Sequence, residues 1–525
     1  MAEKCLILCL KNQLENMRNA HLSATPLLLM SSQSVSAAIP GLILKENTST
    51  ISHESTDGNN NTDLGNSMSE IESSTSTLVF NFSQPSPVPS NNDAKNLEFM
   101  KIINDFGISQ QAYEKLAAHL NSILGMSTEI TYRVCTSYLG KKLLKCFSSI
   151  EETVYDVCQN RCIMFNDAEE VACKHCDEAR YKNNKTDKDG IPIAEKTMVQ
   201  IPLARQIALS LANSDTRHEM IYRHNHKQKA DDSKADIFDG HAYQSIKHLF
   251  SSENDVAISL AVDGFVPHNI LGSITILHAT VHNLPPMVHY EKSWMLQIVM
   301  ITGPFTPLDF WSFLKPTLAD LKVLQEERMV VIIPTLTICA KVHVLVVTGD
   351  IPAVAKLAYT TMRTLESFQN FDPASLSSKG LVGQSPFSSL ASFTGPLFFT
   401  LDKMHGLCHE IGKQIWRLIG GKYGIKHSLF LPVNVLKEIS VAMAATRKTI
   451  PTSFHGSWRN ISKYSGYFKA VDWADFLLFI VPTLVAKCVR DTTSRETLLG
   501  LVQACNLLMS WELSAKEQIS IKRYV

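Results

Sequence analysis

Hydrophobic and polar positions fall into a strand-and-helix rhythm from residue 255 onward. Val256 to Val262 is an apolar, β-prone run that stops at Asp263-Gly264, and Gly272 to Val281 (GSITILHATV) alternates in the manner of a half-buried strand. Leu296 to Thr302 (LQIVMIT) makes a third run, closed by Gly303-Pro304. The period then changes. Phe310, Phe313, Leu314, Leu318, Leu321 and Leu324 recur at three- and four-residue intervals, so Pro307 to Gln325 is expected to be a helix, with Pro316 a candidate kink. His343 to Thr348 (HVLVVT) is a fourth strand ending at Gly349-Asp350, and Pro352 opens another helix. The order β-β-β-α-β-α has a topological consequence. Three consecutive strands form an antiparallel meander, and the helical crossover returns the fourth strand parallel to the first. The carboxyl ends carrying Asp263 and Asp350 therefore become neighbours.

Upstream the pattern is weaker. Residues 1–95 are expected to be mostly a disordered tail, because Ser31 to Asn92 is rich in Ser, Thr, Asn and Pro and cannot bury enough apolar surface to offset chain entropy. Leu97, Met100, Ile103, Leu116, Leu120 and Ile123 then set a helical segment over 96–130. Residues 131–240 hold a cysteine cluster followed by a polar stretch, Arg217 to Asp239, that reads as a solvated connection. The α/β unit with a helical insertion is assigned to 250–515.

Composition narrows the class. A chain of 525 residues is too long for one core, and 45% apolar against 19% charged residues means that most of it folds. Lys plus Arg equals Asp plus Glu at 50 each, so any contact with nucleic acid must come from local patches rather than from overall charge. Of twelve cysteines, four crowd into 158–176, a usage that suits a reducing compartment with a metal site better than a disulfide framework. The apolar run Cys5 to Leu10 is shorter than a signal peptide needs, and Trp473 to Val489 is interrupted by Asp475, Pro482 and Lys487. A soluble, intracellular protein without a membrane span is expected.

The candidate chemistry is acidic and thiol-based. Aspartates at the ends of adjacent central strands can share divalent ions such as Mg²⁺ that hold the attacking and leaving oxygens of a phosphodiester in line, and the strand order is the RNase H-like arrangement on which such pairs occur. The competing structural roles are ordinary: Asp-Gly is a common turn, and Asp before Ile-Pro caps a helix. Cys158, Cys162, Cys173 and Cys176 form C-x3-C-x10-C-x2-C, two knuckle-like pairs able to present four thiolates to a structural Zn²⁺, with His175 a possible substitute ligand. Cys5, Cys9 and His21 suggest at most a degenerate finger, since no fourth ligand is in register. Asp402 and His405 have D-x-x-H spacing, which shares one side of a helical turn. On pattern alone a satisfied structural pair is the better account of them. Lys422/Lys426, Arg447/Lys448 and Arg459/Lys463 are ordinary surface pairs that together can contact phosphates.

Several strings occur together and in order: YDVCQNRC with ACKHCDEARYK, DIFDGHAYQSI, ISLAVDGFVPHN, NLPPMVHYEKSWMLQIVMITGP, VLVVTGDIPAVAKL, SPFSSLASFTGPLFFTLDKMHGLCHEIGKQIW, and GSWRNISKYSGYF with KAVDWADFLLFIVPTLV. Over residues 130–515 the chain resembles the transposases of CACTA-type (En/Spm) elements, in particular their fungal branch. The resemblance implies a DDE-type nuclease that cuts and joins double-stranded DNA at terminal inverted repeats, uses Mg²⁺ or Mn²⁺, acts in the nucleus and on target DNA, and can work as a homo-oligomer. It implies Asp263 and Asp350 as the first two catalytic acids and Asp402 with His405 as the family's D-x-x-H pair in the insertion. For the third acid it points to Glu438, in an expected helix from Val433 to Arg447, with Glu410 as rival. One departure stands out: residues 359–378 contain no cysteine where the family carries a further C-x-x-C. Two functions therefore stay open, an active transposase and a transposase-derived DNA-binding protein that no longer cuts. A zinc-containing interaction module without a DNA role is a third.

Overall fold

The computed structural model describes residues 78–84, 88–147, 150–265, 274–291, 294–303, 307–358, 385–450 and 456–524. Cys5, Cys9 and His21, most of the polar tail, and the cysteine-free segment 359–378 lie outside them.

In chain order the strands are β1 (Val79–Asn81), β2 (Thr153–Asp156), β3 (Tyr181–Thr186), β4 (Pro192–Ala194), β5 (Thr197–Gln200), β6 (Val256–Phe265), β7 (Ile274–Val281), β8 (Met295–Thr302), β9 (Met329–Ile333), β10 (Leu336–Ala340), β11 (Val342–Gly349) and β12 (Phe399–Leu401). Among the described residues seven of them form one mixed sheet in the order β12-β11-β6-β7-β8-β5-β2. The β6–β7 and β7–β8 pairs are antiparallel, whereas β11 lies parallel to β6 on one side and to β12 on the other. The meander and the parallel return follow from the pattern of apolar runs. The buried face is made by Ile258, Leu260, Ala279, Ile298, Val344 and Val347, against which the helix Phe310–Glu326 lays Phe313, Leu321 and Leu324. Asp309 caps that helix by accepting from the Ser312 amide, so it starts three residues later than the position of Pro307 suggests.

The structure adds elements that the apolar pattern concealed. A hairpin, β9–β10, lies between the crossover helix and β11 and recruits β1 as a parallel neighbour in a second small sheet. The expected tail is thus ordered at its distal end, where Val79–Asn81 pair with Val330–Ile332 and the helix Asn91–Asp105 begins behind the Ser90 cap. The cysteine region is not a separate appendage either, because its strands β2 and β5 extend the main sheet beyond β8.

The polar stretch 217–239 departs from expectation only in part. His218, His224, Lys227 and Lys229 are exposed as expected, whereas Arg223, Asp236 and Asp239 are buried in a polar network. The Arg223 guanidinium, 5% exposed, donates to the carbonyls of Asp255 and Ser252 and packs over Phe250, while His226 Nε2 lies 2.7 Å from the buried carboxylate of Asp239. Such groups can leave water because each finds a partner. Farther on, Lys234 forms a bridge with Leu513 and Lys229 pairs with Glu512, tying this segment to the C-terminal helices.

Those helices form a second core built from Leu407, Ile415, Ile439, Met443, Trp473, Phe476, Val485 and Cys505. The apolar run that begins at Trp473 is packed inside it, partly as the wide helical turns Phe476–Val485. Among the described residues no helix is long and apolar enough to cross a membrane. Three N-terminal helices, Asn91–Asp105, Gln110–Leu124 and Ser137–Phe147, gather around Tyr113, Ala117 and Val134.

Candidate metal centres

Two clusters of ligand-type side chains stand at the same end of the main sheet. The first is an acid row. Val262 of β6 is in register with Gly349 of β11, and Gly349 is in register with Leu401 of β12. The next residue on each chain is an aspartate. Asp350 and Asp402 follow the carboxyl ends of the adjacent parallel strands β11 and β12, and Asp263 stands beside them inside β6, which runs on to Phe265 instead of stopping at Asp263-Gly264. Neighbouring strands lie about 4.8 Å apart, which sets the scale of the row with Asp350 in the middle. Asp263 is exposed, and Asp350 and Asp402 are half-buried. Asp350 also caps the helix Ile351–Leu357, its Oδ1 accepting from the Ala353 amide at 2.8 Å. The capping role anticipated for it is real and leaves the second carboxylate oxygen for other work.

Close approach of β6 and β11 depends on Gly349. A Cβ there would stand 2.7 Å from the Val262 carbonyl oxygen, a backbone atom that cannot yield without parting the strands. Gly349→Ala is expected to destabilise the fold by about 1–3 kcal/mol, as overpacking does, and to disturb the acid row beside it. A denaturant midpoint unchanged from wild type would contradict this.

The pair Asp402 and His405 belongs to the row. The His405 amide donates to Asp402 Oδ1 at 2.8 Å and its Nδ1 lies 2.6 Å from Oδ2, so one carboxylate both caps the turn and orients the ring. The hydrogen bond with Asp402 raises the imidazole pKa above its ordinary value against the pull of burial, and the charges of Asp402, Asp350 and Asp263 add to the rise. All three aspartates therefore act on one imidazole. His278, on β7 two residues from the Asp263 partner Ile276, is shifted downward by burial while Asp263 opposes the shift.

Glu438 stands on a helix, outside the strand register that aligns the aspartates. It is exposed on Val433–Thr446, whose inner residues Leu436, Ile439 and Met443 belong to the second core. Glu410 is engaged by His409 Nδ1 at 2.9 Å and by Lys413 at 3.9 Å. The basic residues Lys422, Lys426, Arg447, Lys448, Arg459 and Lys463 are all exposed on the helical part of the chain.

The second cluster is the set of thiols. The sulfur atoms of Cys158, Cys162, Cys173 and Cys176 all lie within 4.8 Å of one another, with Cys158 and Cys176 at 3.5 Å. A tetrahedral Zn²⁺ with bonds near 2.3 Å places its sulfurs about 3.8 Å apart, so the set could hold a structural zinc. Each pair sits on a tight turn whose backbone passes through the left-handed region, at Arg161 (φ 61) and at Asp177 (φ 56). The Arg161 amide donates to the Cys158 carbonyl and the Asp177 amide to the Cys173 carbonyl, both at 2.8 Å. Burial opposes ionisation of Cys176, but the Glu178 backbone and the side chains of Cys158, Asn160 and Cys162 outweigh it and bring the thiol down to about 7. Burial pushes Cys158 and Cys162 upward. A neutral-pH thiolate beside protonated thiols is a fitting start for capture of a cation that displaces the remaining protons. His175 is exposed and is not one of the four convergent ligands.

Among the described residues the four cysteines are the one group of this kind already gathered at ligand distance. The aspartates stand in line, a strand apart. The chain matches no family model and no curated protein.

Proposed function

We propose that this chain is a DDE-type DNA transposase, or a protein derived from one, that cuts and joins double-stranded DNA at terminal inverted repeats on an RNase H-like sheet. The observation that carries the proposal is the alignment of Asp263, near the end of β6, with Asp350 and Asp402, which directly follow the adjacent parallel strands β11 and β12. The strand order β12-β11-β6-β7-β8, with a helix between β8 and β11, supports the same fold assignment. The resemblance to CACTA-type transposases supports the substrate class.

In this reading Asp263, Asp350 and Asp402 would hold Mg²⁺ or Mn²⁺, which would supply a nucleophile at neutral pH and offset charge on the phosphodiester. The chain's own residues do the positioning. Asp350 is fixed by its capping bond to Ala353, Asp402 clamps Nδ1 of His405, and Gly349 lets the strands bearing Asp263 and Asp350 approach. Asp402 takes the third acidic position in place of Glu438. The exposed basic pairs of the helical part then contact DNA phosphates, and the site of action is the nucleus.

The test is nicking of a supercoiled duplex by the purified full chain with Mg²⁺ or Mn²⁺. Wild type is expected to nick only with the ion present, and Asp263→Asn is expected to lose the activity while keeping its circular dichroism spectrum. Cleavage that survives Asp263→Asn unchanged removes the acid row from the chemistry. Salt-sensitive binding to inverted-repeat DNA without any cutting favours the DNA-binding derivative instead.

A further inference from the structure

The thiol cluster and the acid row are joined through one side chain. Arg161, at the tip of the first cysteine turn, is fully buried, and its Nη2 donates at 3.0 Å to Thr275 Oγ1 on β7 and at 3.0 Å to the Ile301 carbonyl on β8. Thr275 and Ile301 are themselves partners in the sheet, and Thr275 is the partner of Gly264, the residue after Asp263. The same turn is fastened by its backbone: the Arg161 carbonyl accepts from the Leu308 amide, and the Cys162 carbonyl from the Asp309 amide at 2.8 Å. Lys196 Nζ closes the arrangement with bonds to the carbonyls of Gln159 and Gly303. Six hydrogen bonds thus fasten the Cys158–Cys162 turn: two from Arg161 reach β7 and β8 beside the strand of Asp263, two come from Leu308 and Asp309 ahead of the crossover helix, and two through Lys196 join Gln159 to Gly303 after β8.

We propose that the zinc knuckle is a clamp on the carboxyl end of the sheet and that Arg161 is the positioning residue through which it sets Asp263. The physical reason is the state of the turn. Arg161 holds a left-handed backbone conformation that is unfavourable for a residue with a Cβ, and four sulfurs around a cation would fix that turn with the guanidinium aimed inward. Without the cation the Cys158–Cys162 turn can relax, and a buried guanidinium that loses its acceptors draws in water and loosens the ends of β7 and β8. The mechanical coupling stands on the contacts alone, and its consequence for catalysis rests on the nuclease reading.

The experiment is hydrogen exchange, followed by mass spectrometry, on the full chain with zinc bound and after its release by a thiol-directed mercurial. Peptides covering 274–277 and 299–303 are expected to exchange roughly tenfold faster after release. Arg161→Ala is expected to show the fast exchange with zinc still bound, and Arg161→Lys an intermediate rate, since an ammonium keeps the charge but not the two-acceptor fork. Thr275→Val, which removes one acceptor with little change of shape, guards against a folding failure of the Ala variant and is expected to accelerate exchange on the β7 peptide. Equal protection of these peptides with and without zinc, or wild-type exchange in both Arg161→Ala and Thr275→Val, overturns the clamp. Mn²⁺ titration gives the separate readout: weaker Mn²⁺ binding in Arg161→Ala supports the link to Asp263. Mn²⁺ binding equal to wild type in a variant with accelerated exchange overturns that link and leaves the clamp standing. Absence of Mn²⁺ binding in wild type counts against the nuclease reading alone.

Discussion

Asp402→Asn is expected to lower metal-dependent DNA cleavage roughly 10²–10³-fold, the usual scale for deleting one charge-stabilising group, while Glu438→Gln stays within about twofold of wild type, as exposed substitutions do. The contrast follows from placement. Asp402 continues β12 in register with Asp350, and its carboxylate is 2.6 Å from the imidazole of His405, which also feels Asp350 and Asp263. Glu438 faces outward from a helix that packs in the second core. Single-turnover nicking with Mn²⁺ measures both variants on one substrate. A large loss with Glu438→Gln and none with Asp402→Asn would return the third acid to the helical insertion. His405→Gln adds a control for orientation: loss of the ring leaves the Asp402 carboxylate in place but unclamped, so a smaller defect than that of Asp402→Asn is expected.

Cys173→Ser is expected to take bound zinc from about one ion per chain to near none, because three thiolates do not close a structural tetrahedral site. Atomic emission on the purified chain measures this, with Cys146→Ser at an exposed position as the control that keeps its metal. The effect on stability is expected to be several kcal/mol, since binding free energy at such a site is folding free energy. Its location matters more than its size. Cys158 stands two residues after β2 ends, so the outer strands β2 and β5 and the Arg161 turn should loosen first. Limited proteolysis should cut within 150–200 before it cuts within the C-terminal helices. Retention of stoichiometric zinc by Cys173→Ser would show that another residue, such as the exposed His175, can complete the site.

Where the chain buries apolar residues at a regular period, sequence and structure agree closely. The strands at 256, 274, 295 and 342, the crossover helix and the helix after Asp350 were legible because their inner faces repeat at two or at about 3.6 residues. Short elements escaped. The strand Phe399–Leu401 is three residues long, too brief for a period, and its meaning lies wholly in pairing with Val347–Gly349. The only trace in the sequence is that LFFTLD, like SLAVD and VVTGD, is an apolar β-prone run closed by Asp. The hairpin β9–β10 was hidden by its position directly after a helix. Within 217–239 only the buried part was misread: Arg223 and His226 look solvated until Asp255, Ser252 and Tyr243 beyond the segment, and Asp239 within it, are supplied as partners.

The sequence by itself determined the three-strand meander, the parallel return that makes Asp263 and Asp350 neighbours, and the four cysteines whose spacing forms two knuckles. Each of these depends on local period or on a short fixed spacing, which the chain carries within a few residues. Tertiary structure alone decided that β12 pairs with β11 and so brings Asp402 beside Asp350, and that Arg161 ties the thiol cluster to the strand beside Asp263. These depend on register between segments more than fifty residues apart, and register is settled only when the whole sheet chooses which side chains to bury.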